Sequence, residues 1–363
     1  MLPFGRMLQY GNTREQKKIK QFDTSYGSMY LLYSNGELYG RGRNGAYQIG
    51  NGTNTTVQDW FLMATDVAEF HIAYYTDSPC LIKKNDGSYW LSGRGYIFGS
   101  TTEIYSTVTD ITAKLGDMVL GYDRLMFNEQ NIWYVKDNRY YRMGLNSNRN
   151  LLDGTTTHIT SFTEYVLAPG MKTLFPGTQG TICSYDDGTV RAIGNNNTAL
   201  LGLPSLSPYT SLTVMTIPSI TDVFFSQNCT WFRTVDGLYS CGSCQGGQLG
   251  NGVNDTNVRI LNPIQLFDRN PTRIVNSEGL TILHRVTPIQ YTGQSSRVGM
   301  GSTVMTVFTP NTVIPSLDFY VNNSASYYIQ DGRLYGTGQV GFYNLLPGYT
   351  STQSTYVELE LPK

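Results

Sequence analysis

Met29-Tyr-Leu-Leu-Tyr-Ser-Asn-Gly-Glu-Leu-Tyr-Gly-Arg-Gly42 reads as two short apolar arms around an Asn35-Gly36 turn, closed by a glycine six positions after Gly36. Asn-Gly tolerates positive φ at both central residues, the requirement of a two-residue type I′ hairpin between twisted strands. The same phrase returns along the chain. Asp86-Gly87 is followed by Gly93, Asp137-Asn138 by Gly144, Asp187-Gly188 by Gly194, and Asp331-Gly332 by Gly338, each at the same spacing. Asp236-Gly237 is followed by Gly242, one residue closer, and Gly293 holds the remaining rung without a turn glycine before it. The seven rungs recur about every fifty residues, a period of blades or coils.

The arms are those of buried strands. In the fifth unit they read Thr230-Trp-Phe-Arg-Thr-Val235 and Leu238-Tyr-Ser-Cys241, rich in the aromatic and β-branched residues that suit a pleated sheet. A second signature follows the first and fifth hairpins: Gln48-Ile-Gly-Asn-Gly52 has its counterpart in Gln248-Leu-Gly-Asn-Gly252. Echoes stand at Leu152-Asp-Gly154, Leu200-Leu-Gly202 and Gly299-Met-Gly301. No long stretch carries helical periodicity, and fifty or so residues hold four short strands with their connections. The expected fold is all-β, a seven-bladed β-propeller of four-stranded antiparallel blades forming a single domain over residues 1–363. Its blades are drawn as 12–52 with 354–363, then 53–102, 103–155, 156–202, 203–252, 253–302 and 303–353. In this scheme the alternating Thr355-Tyr-Val-Glu-Leu-Glu-Leu-Pro362 joins the N-terminal blade and closes the ring, since an open ring would expose strand edges.

The repeat resembles that of the regulator of chromosome condensation family. The match rests on Asn35-Gly36-Glu-Leu-Tyr-Gly40 with Asn44-Gly-Ala-Tyr-Gln-Ile-Gly-Asn-Gly52, and on Asp236-Gly237-Leu-Tyr239 with Gly246-Gly-Gln-Leu-Gly-Asn-Gly252. It covers nearly the whole chain. Tyr39, Tyr239 and Tyr335 stand where the family often has tryptophan. The resemblance implies the seven-bladed fold and, among family functions, guanine-nucleotide exchange on chromatin, inhibition of a β-lactamase, or roles in bacterial and viral proteins. One scaffold hosts unrelated tasks, so the residues must choose.

Nucleic-acid binding calls for a basic excess, and Lys plus Arg number 26 against 27 for Asp plus Glu. The densest basic group, Arg14, Lys17, Lys18 and Lys20, is small. Chromatin association and nucleotide exchange therefore rank low, and no nucleic-acid partner is expected. Ser184-Tyr-Asp-Asp-Gly-Thr189 resembles the Asp-box turn of sialidases, but that box is a folding element, and nothing in the residue order selects a nucleophile, an acid and an arginine cluster. No catalytic residue, cofactor or metal is assigned, and the protein is read as non-enzymatic. His71, His158 and His284 are scattered. Cys241 and Cys244 have a zinc-like spacing but lack a ligand set. A turn centred on Asp236-Gly237 would place Cys229 opposite Cys244, as a cross-strand disulfide or, with an odd total of five cysteines, as free thiols among Cys80, Cys183 and Cys241.

What remains is a binding surface. Charged residues make up 15% of the chain, against about a quarter in ordinary domains, and tyrosines number 27. The pairs Tyr74-Tyr75, Tyr140-Tyr141 and Tyr327-Tyr328 put rings on opposite strand faces, which nominates Tyr74, Tyr140 and Tyr327 for contact with a partner. Residues 254–279, with Asn262, Phe267 and Arg269, carry turn signals and are expected to project as a loop. No signal-peptide core or membrane span is read in the sequence. The composition points to a bacteriophage virion component, made in the host cytoplasm and assembled with other virion proteins in symmetric copies as a tail, fibre-attachment or head-decoration part. The alternatives are a cytoplasmic location, and a host-receptor or surface-glycan binder with or without glycosidase activity; exchange factor and protein inhibitor rank below these.

Overall fold

A computed structural model of the protein describes residues 17–362 apart from 74–75, 278–279, 285–288, 299, 301–302, 315–317 and 340–345. Its strands form seven separate sheets, each of four antiparallel strands in sequence order. In blade one these are Ile19–Thr24, Ser28–Tyr33, Leu38–Gly42 and Val57–Ala64. The remaining blades occupy 67–110, 124–165, 171–214, 220–267, 273–311 and 319–358. The fold is the expected seven-bladed β-propeller, and the helical pieces are short 3-10 turns such as Gly95–Phe98.

Each blade is one uninterrupted run of chain. The C-terminal strand Gln353–Glu358 pairs with Arg333–Gly338 of blade seven, not with blade one, and Val57–Ala64 pairs backward with Leu38–Gly42. The boundaries drawn from the sequence therefore fall one strand early. Gln353–Glu358 is the counterpart of Val57–Ala64, and it completes the last blade rather than the first. Among the described residues no strand is shared across the junction of blades seven and one. That junction is sealed by packing: Phe22, Leu31 and Tyr33 bury against Tyr327, Leu346 and Leu359. Thr24 Oγ1 donates to Val321 O (2.8 Å) and Trp60 Nε1 to Glu360 O (3.0 Å), so the last residues lie against blade one.

Seven hydrophobic clusters fill the seven gaps between neighbouring blades. Strand alternation explains them. In Ser28–Tyr33, Met29, Leu31 and Tyr33 face blade seven while Tyr30 and Leu32 face blade two. Both faces of a blade are thus interior, which overturns the reading of the tyrosine pairs. Tyr327 and Tyr328 are both buried, Tyr327 edge-on to Phe22 and Tyr328 in the cluster of blades six and seven. Tyr140 is buried between blades three and four, and Tyr141 stacks on Tyr134 at 4.7 Å between ring centres. Tyr74 and Tyr75 lie outside the described residues.

The ladder glycines have one job in all seven blades. Gly42, Gly93, Gly144, Gly194, Gly242, Gly293 and Gly338 have φ between 101° and 133°, and each sits at the register shift between the third and fourth strands. They are bulge glycines that turn the outer strand, and a Cβ at Gly194 would overlap the Gln179 carbonyl oxygen. Blade six keeps this device and four strands despite its missing signature, though 285–288, where its turn falls, lie outside the described residues.

The turns themselves are of more than one kind. Asp137-Asn138 and Asp331-Gly332 have positive φ at both positions and form the expected two-residue turns. Around Gly36, Gly87 and Gly188 the loop has three residues, with only the glycine at positive φ and its N–H bonded to the carbonyl three residues back. In blade five Thr234 pairs with Gly237, so the turn is Val235-Asp236. That register sets Cys229 opposite Gly242 rather than Cys244, and all five cysteines are free and buried.

Candidate functional site

The first strand of each blade is the innermost, and together these strands line a central channel. Ile72, which follows Val67–His71, and Phe225 of Ile220–Phe225, from blades two and five, border two cavities in it. One cavity, of about 270 Å³, is lined by Phe127, Pro176, Leu200 and residues 177–179. The other, of about 320 Å³, is lined by Phe224, Ile274, Val275, Tyr320 and Val321 with Asp23 and Thr24. Asp23 takes a bond from its neighbour Thr24 N (2.8 Å). Desolvation pushes its carboxyl up to about 6, opposed by the Thr24 N–H and by the charge of Arg273.

The antiparallel order puts the first-to-second turns and third-to-fourth loops of every blade on one face, here called the loop face, and the Asn/Asp hairpins on the other. In blades one, three and four the third-to-fourth loop is locked by a buried asparagine two residues after the bulge glycine. Asn44 Oδ1 accepts Ile49 N (2.8 Å) while Nδ2 donates to Thr53 O (2.6 Å). Asn146 makes the same pair with Leu151 N (2.9 Å) and Thr155 O (3.1 Å). Asn196 does so with Leu201 N (2.8 Å) and Ser205 O (2.6 Å). Each loop also accepts a hydroxyl from the next blade: Ser92 Oγ to Gln48 O (2.8 Å), Thr181 Oγ1 to Asn150 O (2.6 Å), Thr230 Oγ1 to Leu200 O (2.7 Å). These three loops are held rigidly because each is bonded both within itself and to the neighbouring blade.

On the loop face blades one, two and three bring together Tyr26, Arg43, Asp77, Tyr96 and Glu129. Arg43 lies over the Tyr26 ring (5.8 Å) and pairs with Asp77 (Nη2 to Oδ1, 3.5 Å). Asp77 N donates to Glu129 Oε1 (3.2 Å). Glu129 is only 5% exposed, and burial, with the Asp77 charge added, pushes its carboxyl up to about 8, so it is protonated at neutral pH. Burial raises the Tyr96 hydroxyl as well. Strongly perturbed groups gathered on one surface mark a functional-site candidate.

Of the residues nominated from the sequence, Tyr140, Tyr327, Asn262, Phe267 and Arg269 are not at this site. Residues 259–267 are the nine-residue outer strand of blade five, not a projecting loop. The Asn and Pro turn signals there mark its bulged edge and the passage to blade six. Asn262 and Arg269 are exposed, on the outer strand and on the connection after it. Phe267 is half-buried against Phe308 (5.0 Å between centres). In the Asp-box turn, Asp187 accepts from Thr189 N (2.9 Å) and Thr189 Oγ1 (2.7 Å), which holds its carboxyl below the ordinary range. This is a turn on the hairpin face. His158 Nδ1 accepts Asn146 N (3.1 Å), and burial lowers the His71 imidazole. Asp23 and Glu129 were missed because each blade contributes only a fragment; the one sequence signal was a lone carboxylate at the inner end of a first strand or the turn after it.

Seven four-stranded blades around a channel define a seven-bladed β-propeller, and solved structures place it with the RCC1-like propellers in fold. Prp20p from Saccharomyces cerevisiae, described with its binding to Gsp1p and histones, matches with a TM-score of 0.70 and 15% identity over 91% of this chain and 87% of that one. Yeast RCC1 (Prp20) in its complex with Kap60 gives 0.71 and 14% over 99% and 91%. Human WBSCR16 gives 0.66 and 13% over 90% and 94%. No family model matches the chain, and no curated protein matches it.

Proposed function

We propose that the chain is a non-enzymatic protein-interaction propeller that meets its partner through the loop face. The observation that carries this reading is the Tyr26–Arg43–Asp77–Glu129 network. It joins three blades, and its Tyr26 and Arg43 are half-exposed yet fixed, the residue types that anchor interfaces when little entropy is lost on binding. The similar propellers are described with protein partners, Gsp1p, histones and Kap60, which supports the general role. The low share of charged residues and the near-balanced charge support one setting in particular, a virion component in symmetric copies.

The test is affinity capture with mass spectrometry, from phage particles or from the native cell, using the intact protein beside Arg43→Glu and Tyr26→Ala. A partner in fixed stoichiometry that is lost with either variant, while the melting temperature is kept, supports the proposal. Capture unaffected by both variants removes the loop face from it. Release of reducing sugar from a host polysaccharide, abolished in Glu129→Gln, would instead support the glycan-cleaving alternative, which the protonated Glu129 beside Asp77 favours.

A further inference from the structure

We propose that the larger channel cavity, walled by blades one, two, five, six and seven, binds an organic cation: an ammonium or guanidinium head on a short apolar or aromatic body. The inference does not depend on the partner surface described above. The cavity, of about 320 Å³, has apolar walls from Phe224, Phe225, Ile274, Val275 and Tyr320 and a carboxylate from Asp23. A concave apolar site with few converging polar groups is the general form of a small-ligand site.

The charge arrangement selects the sign of the ligand. Asp23 Oδ1 accepts Thr24 N, and among the described residues no cation lies within ion-pair distance of this carboxylate. Arg273, whose charge does act on Asp23, is committed elsewhere: its Nη2 donates to Phe319 O (2.9 Å) and lies 3.7 Å from Asp318, and its guanidinium stacks over Phe319 and Tyr320. An ionised carboxylate held among apolar walls without a bonded cation is desolvated at a cost that an incoming cation offsets. The Phe225 ring adds an aromatic wall, whereas Arg233 already lies over Phe224 (4.9 Å) and Arg273 over Tyr320 (5.3 Å). A neutral apolar molecule would fill the walls but leave Asp23 unmatched, and an anion would oppose it.

Isothermal titration of the full-length protein at neutral pH with phenethylammonium and with its neutral analogue 2-phenylethanol tests the assignment. The expected result is saturable binding of the cation, weaker by about tenfold or more for the neutral analogue. Asp23→Asn keeps an oxygen for Thr24 N and should cut cation affinity by about tenfold or more while leaving 2-phenylethanol unchanged. Val275→Trp, which fills the cavity, should abolish both, with folding of each variant confirmed by its melting temperature. Equal binding of the two probes, full affinity in Asp23→Asn, or no saturation up to about 10 mM overturns the proposal. A competition arm identifies the source: displacement of phenethylammonium by N-acetylarginine amide indicates a side chain delivered by a bound protein, and its failure indicates a free amine.

Discussion

Glu129 carries a pH dependence whose sign follows from its surroundings. Its carboxyl titrates near 8 in the fold against 4.5 for an ordinary glutamate, because burial and Asp77 oppose its charge. Between those values the folded protein keeps a proton that the unfolded chain has lost, so stability is full below about 4.5 and declines as pH rises toward 8, by at most about 1.4 kcal/mol per pH unit. Asp23 acts in the same direction only up to about 6. Urea unfolding at neutral pH and at pH near 8 should therefore show a loss of stability that Glu129→Gln largely removes. Glycines give a second contrast. Gly194→Ala, at φ 133° and against the Gln179 carbonyl, should cost roughly 2–4 kcal/mol. Gly87→Ala, at φ 86° with open space around it, should cost about 1 kcal/mol from backbone strain alone. Chemical denaturation of both variants measures the difference. The ladder glycines were legible in the sequence as a spacing, but their role at a bulge was not, since the partner that demands positive φ lies on another strand.

At the scale of the loop between third and fourth strands, blade five departs from blades one, three and four, and the departure accounts for the cysteine spacing. Cys244 stands two residues after Gly242, in the slot that Asn44, Asn146 and Asn196 fill in their blades. It receives only a weak bond from Asn251 Nδ2 at 3.6 Å. Its Cys241 neighbour packs into the gap between blades four and five, so the pair is two unrelated strand and loop positions rather than a ligand motif. Cys244→Asn should restore the bonds to Leu249 N and to the carbonyl of Val253, raising stability by about 1 kcal/mol in equilibrium unfolding. A neutral or destabilising result would mean the blade-five loop follows a different path. The sequence made the hairpins legible because turn and arms are local. The single-residue shortening from Gly237 to Gly242 also announced that blade five turns differently, and an assumed common turn type is what misplaced Cys229.

For the whole ring, the sequence carried the blade number, yet not the side on which an outer strand pairs. Period and alternation are the same whether Val57–Ala64 opens one blade or ends another; only the pairing with Leu38–Gly42 distinguishes them. The channel and the loop-face network were illegible for a related reason, since Asp23, Phe225 and Tyr320 meet only when distant blades close around an axis. The pairing makes a prediction for circular permutants. Opening the chain at 65–66, between blades one and two, leaves every sheet continuous and should keep the unfolding rate. Opening it at 53–54 sends the fourth strand of blade one to the new N-terminus and the other three to the C-terminus, so the ends share a sheet across the junction. That permutant should unfold about tenfold more slowly in stopped-flow denaturant jumps.

The uninterrupted blades also bear on how the protein is made. Translation at about 5–20 residues per second delivers a blade every few seconds. Because blade one contains all four of its own strands, it can complete its hydrogen-bonded sheet as soon as those residues leave the ribosome. Each later blade then arrives beside a finished apolar face. None of the described strands has to stay unpaired, exposed to other nascent chains, until a distant blade is made; what the last blade completes is the packing at its junction with blade one.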